Sequence, residues 1–136
     1  LGAATLLVVV VSLFVTGLSY TPRSWSAFAA GTLLVGLIYG CLGSLAGALF
    51  GQVGATYVVL FMATLGMGIL QNPMFGGGTP GGLAVVLPEY GPGRVVVDAG
   101  FAEGFHAWGE LGIGVAWVVA LAAILALVLR RSLRPR

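Results

Sequence analysis

All four acidic side chains of this chain, Glu89, Asp98, Glu103 and Glu110, fall in one region, and the single histidine, His106, lies among them. These residue types hold metal ions or move protons. Any chemistry done by carboxylate or imidazole side chains is therefore confined to this part of the sequence. His106 follows Glu103 by three residues and precedes Glu110 by four, which puts the three on one side of a helix. A metal centre needs more than this: no second histidine stands near, and the lone cysteine, Cys41, is far off in an apolar run. An acid–base pair needs a pocket and neighbours that tune it, and the spacing points to neither. The expected role of these residues is the solvated face of a helix. No catalytic, metal or cofactor residue is assigned. The glycines of "FGGGTPGG" have no following lysine and read as turns, not as a phosphate-binding loop.

The elements that position this region are unusually apolar. Of 136 residues, 59% are hydrophobic and only 7% charged, and mean hydropathy is +1.08. A soluble domain carries about 25% charged residues, so this composition predicts a bilayer protein. Four apolar segments stand out, at about residues 1–20, 25–50, 52–70 and 111–129. None contains a charge, and each approaches the roughly 20 residues that cross about 30 Å of hydrocarbon. Strand-like alternation is missing, so the fold class expected is all-α: one transmembrane helical bundle over 1–136, with about four spans. With no ionisable group inside the spans, coupling to an ion gradient has no support there. Basic residues do not alternate with aromatics, which argues against a nucleic-acid partner.

Connections differ sharply in length. "SYTPRSW" joins the first two segments, with Pro22 as breaker. "GQVG" joins the second and third. About 40 residues, 71–110, separate the third from the fourth, starting with a helix stop at Gln71, Asn72 and Pro73. Arg130, Arg131, Arg134 and Arg136 follow the last segment directly, against Arg23 and Arg94 elsewhere. The positive-inside rule then places the tail, 130–136, in the cytoplasm and the long loop outside. Within the loop, "RVVVDAGFAEGFHAWGEL" reads as a helix lying flat on the membrane. Val97, Phe101, Phe105 and Trp108 form its apolar stripe, and Asp98, Glu103, His106 and Glu110 lie off that stripe.

Glycine recurs at helical spacing in the second segment. Gly43, Gly47 and Gly51 form one ridge, and Gly36 and Gly40 a second small pair. In lipid, where burial of apolar side chains gives little drive, such ridges allow close helix packing. Packing against the third segment across "GQVG" is the expected use; a subunit interface or a sliding surface is the alternative.

The order of parts resembles the C-terminal half of the membrane subunits of type-2 permease ABC exporters. The resemblance rests on "YGCLGSLAGALFGQVGATYVVLFMATLGMG", on the outer Gly/Pro stretch with "LPEYGPGRVVVDAGFAEGF", and on the closing "ALVLRRSLRPR". It implies the last four of six spans, as the C-terminal piece of a longer chain in a bacterial inner or plasma membrane. It also implies a separate cytoplasmic ATPase subunit, a second permease copy and a lipid surround as partners. A hydrophobic drug, lipid or polymer would be the cargo, with the outer helices, including Phe101, Phe105 and Trp108, as a cap. A non-transporting membrane scaffold subunit is the competing expectation.

Overall fold

The computed structural model describes residues 2–70, 82 and 84–132. Helix α1 is Gly2–Ser19, α2 is Trp25–Ala63 and continues into a π-helical turn, Thr64–Leu70. A 3-10 turn, Ala84–Val86, leads to α3, Tyr90–Phe101, and α4, Trp108–Ser132, ends the described chain. All regular structure among the described residues is helical. The expected turns of "FGGGTPGG" other than at Gly82, the stop at Gln71, Asn72 and Pro73, and Arg134 and Arg136 lie outside the described residues.

Two helical stretches, Trp25–Gly66 and Trp108–Ser132, are long and apolar enough to cross a membrane; Ala3–Ser19 is a shorter apolar helix. Their hydroxyls bond back to their own backbone, as Thr16 to Ser12 and Thr32 to Phe28, each at 2.8 Å. This satisfies polar groups without an outside partner. Large apolar side chains face outward along α1 and α2, among them Leu7, Phe14, Leu18, Phe50, Val53 and Phe61. Water does not tolerate so continuous an apolar surface.

α2 is not one straight rod. Gly51 breaks it, with φ 73° and ψ 178°, a backbone region essentially reserved for glycine. A methyl built on Gly43 would meet Val59 at 3.6 Å, and one on Gly47 would meet Ala55 at 3.9 Å. Residues 43 and 59 of an unbroken helix would lie about 24 Å apart. The chain therefore folds back at Gly51 into two antiparallel arms. The first arm also carries α1, antiparallel, where Gly36 meets Val9 and Thr5 and Gly17 meets Trp25. α4 runs parallel to the first arm: Gly114 reaches Leu34, and Leu121 packs with Ile38 and Cys41 in the apolar core.

α3 is where the structure departs furthest from a helix lying flat on a surface. It packs against both α2 and α4, burying Gly91, Pro92, Val95, Ala99 and Gly100. The contacts are backbone-close. A methyl on Gly91 would come within 2.5 Å of the Glu110 carbonyl oxygen, and one on Gly31 within 2.8 Å of Val96. At its far end the backbone N–H of Ser24 donates to Ala99 O at 2.9 Å, and the Tyr20 hydroxyl donates to Gly100 O. α3 thus lies wedged along the first arm of α2, from the level of Leu34 to that of Ser24.

Candidate functional site

The continuous helix expected over "RVVVDAGFAEGFHAWGEL" is interrupted. α3 stops at Phe101, residues 102–104 bend, and α4 starts at Trp108, three residues earlier than the apolar run begins. Asp98 explains the break. Its carboxylate accepts the backbone N–H groups of His106 at 2.6 Å and Ala107 at 3.1 Å, and so satisfies donors at the entry to α4 that a helix start leaves open. Gly100 and Gly104 weaken any helix through this stretch. The aromatic stripe is split as a result. Phe101 turns to Tyr20, ring centroids 5.6 Å apart, while Phe105 and Trp108 meet edge to face at 4.7 Å. Phe101 and Trp108 remain exposed.

Arg94, Val97, Asp98, His106, Ala107 and Glu110 line an open cleft of about 220 Å³ beside this bend. Three of the residues singled out for charge, Asp98, His106 and Glu110, are brought together there, and Arg94 joins them. Glu103 is exposed on the bend and takes no part in the lining. Among the described residues no group of three or more His, Cys, Asp or Glu is placed to hold a metal. The cleft mixes both signs of charge, with one of its carboxylates committed to capping α4.

Glu89 departs most from the sequence expectation. Placed by that reading in the long outer loop, it is completely buried. It stands just ahead of α3, with Gly93 N–H donating to its carbonyl at 2.9 Å, but its side chain makes no capping bond. The carboxyl instead crosses to the π-helical turn and lies against Gly66, where there is no room for a Cβ. Neither carboxyl oxygen has a hydrogen-bond partner among the described residues. The Tyr39 hydroxyl, on the first arm of α2, is likewise buried without a partner and within electrostatic reach of Glu89. Burial pushes the Glu89 carboxyl above the usual carboxylate range, and its own backbone N–H works weakly against this without meeting hydrogen-bond geometry. A carboxyl group thus stands against α2 and the π-helical turn, whose own sequence contains no Asp, Glu, Lys, Arg or His. The available signal was its setting: in "LAVVLPEYGPG" it is the lone charge among apolar, Gly and Pro residues.

The glycine ridge has two different environments. Gly43 and Gly47 face the second arm of α2 at ordinary van der Waals distance, Gly51 makes the turn, and Gly36 faces α1. Gly40 is half-buried on the same arm. Apart from Gly54, which closes on Phe50 within the hairpin turn, the tightest approaches lie at Gly31, Gly66, Gly91 and Gly114, around α3 and its entry. Comparison of this chain with protein-family models, with curated proteins and with solved structures finds no match.

Proposed function

We propose that this chain is the membrane-embedded part of an exporter permease, a pathway-forming subunit driven by a separate cytoplasmic ATPase. Its four spans are α1, the two arms of α2 and α4. The observation that carries this reading is the wedge of α3. A short helix turns back between the first arm of α2 and α4, with backbone-close contacts at both ends. A membrane anchor has no use for such a wedge, whereas a permease needs an element that closes a pathway on one side. The aromatic groups at the wedge's outer bend, Phe101 with Tyr20 and Phe105 with Trp108, form the cap in this reading. Arg130 and Arg131, in the last turn of α4, mark the cytoplasmic end. Two copies of the permease line a route for a hydrophobic drug, lipid or polymer.

Purification of the complete reading frame containing this segment, gently solubilised, tests the proposal. An ATPase subunit carrying a phosphate-binding loop should copurify at about one copy per permease, with vanadate-sensitive activity. Its absence, in a preparation that retains the folded permease, overturns the exporter reading in favour of a scaffold subunit.

A further inference from the structure

The carboxyl of Glu89 has no exposure, no partner among the described residues and no room beside Gly66. An isolated carboxylate in such a place is prohibitively costly, and the group neutralises instead. Neutralisation can come from a cation or from a proton. A bound metal is not provided for, since no metal-holding group exists among the described residues. An organic ammonium has no space, because the backbone of Gly66 closes on the carboxyl. The nearest cationic side chain along α3, Arg94, is exposed and lines the outer cleft. The packed elements carry these other ionisable groups: Tyr39 and Cys41 on the first arm of α2, exposed Tyr57 on the second, Tyr90 and Asp98 on α3, and Glu110, Arg130 and Arg131 on α4, the two arginines at its far end. The π-helical turn carries none. Of these, Tyr39 is the group electrostatically coupled to Glu89.

We infer that Glu89, with Tyr39 and Gly66 around it, is a proton-binding site that fastens the entry of α3 to the π-helical turn. One proton from the aqueous phase forms one O–H bond on the carboxylate. In the acid form, the side chain is uncharged and fits against Gly66. In the ionised form it must be hydrated, and hydration requires the π-helical turn and α3 to part. A π-helical turn is an irregularity that recurs at functional positions, and here it supplies the surface on which the carboxyl rests. The inference does not depend on the exporter reading, and its test needs no ATPase.

The test is infrared spectroscopy of the purified full chain in lipid nanodiscs across a pH series. The C=O stretch of a protonated carboxyl should persist in the wild type above the pH at which an ordinary glutamate ionises, and should be missing in Glu89→Gln. It should vanish from the wild type only as pH is raised well past the range in which an ordinary glutamate ionises. The melting temperature of the wild type should fall over the same interval, while Glu89→Gln stays flat. The site is overturned by absence of the band from the wild type once pH exceeds the ordinary glutamate range, a reading that holds even if a variant misfolds. It is overturned equally by the same alkaline loss of stability in Glu89→Gln.

Discussion

At the scale of single residues, Glu89 and Gly66 define each other. The carboxyl occupies the volume that a side chain at 66 would need, so the two positions must be coupled energetically. Gly66→Ala alone should destabilise the fold by about 1–3 kcal/mol, the range for overpacking a tight contact. In a Glu89→Ala background the same methyl enters vacated space and should cost much less. A double-mutant cycle on unfolding in mixed micelles should show a coupling of about 0.5–3 kcal/mol. Additive effects of the two substitutions would mean that the carboxyl does not rest on Gly66. The pH dependence belongs to this scale too. A carboxyl whose folded-state pKa is raised makes the folded state hold its proton where the unfolded chain has already lost it. Its stabilising share is complete below about pH 4, the ordinary glutamate value. It declines as pH climbs to the raised value, so stability falls with alkalinity.

At the scale of elements, the tight glycines and the ridge glycines make opposite predictions. Gly91→Ala forces a methyl against the Glu110 backbone and should cost about 1–3 kcal/mol. Gly43→Ala and Gly47→Ala place a methyl at ordinary contact distance from Val59 and Ala55 and should stay within about 0.5 kcal/mol of wild type. Equal losses at all three positions, read from thermal melts in one detergent, would show that α3 is not the close-packed element. The contrast also marks what the sequence made legible. Spacing of small residues along one apolar run reveals a ridge, and "GQVG" between two such runs reveals a tight return, because both signals are local. The wedge of α3 was not legible, because its close approaches pair distant residues, Gly31 with Val96 and Gly114 with Pro92. No period within one segment reports such pairs. Glu89 was misplaced for the same reason: acidity is a property of the residue, whereas its burial depends on a turn more than twenty positions earlier. The aromatic stripe failed differently. Its 3.6-residue period is present, but Asp98 stabilises a new helix start at His106 and Ala107, and local capping overrides the period.

At the scale of the molecule, the two ends of the bundle are chemically distinct, and this makes its placement in a membrane testable. Tyr20, Ser24, Gly100 and the bend at 102–104 gather at one end through the Tyr20 and Ser24 bonds to α3. Gly51 closes the hairpin at the other end. α4 runs parallel to the first arm of α2, so its Arg130 and Arg131 finish at the Gly51 end. Gln52, Arg131 and Glu103 are all exposed and can each carry a single cysteine once buried Cys41 is replaced by serine. On intact cells, a membrane-impermeant thiol reagent should label Glu103→Cys and leave Gln52→Cys and Arg131→Cys unlabelled until the membrane is permeabilised. The inverse pattern would preserve the bundle and reverse its orientation, showing that Arg23 and Arg94 outweigh the arginines after α4. Labelling of Gln52→Cys and Arg131→Cys from opposite sides would be a deeper failure. Gly51 and the end of α4 share one end only if α2 folds back and α4 follows its first arm, so such a result would break the architecture on which the wedge, the cap and the proton site all rest.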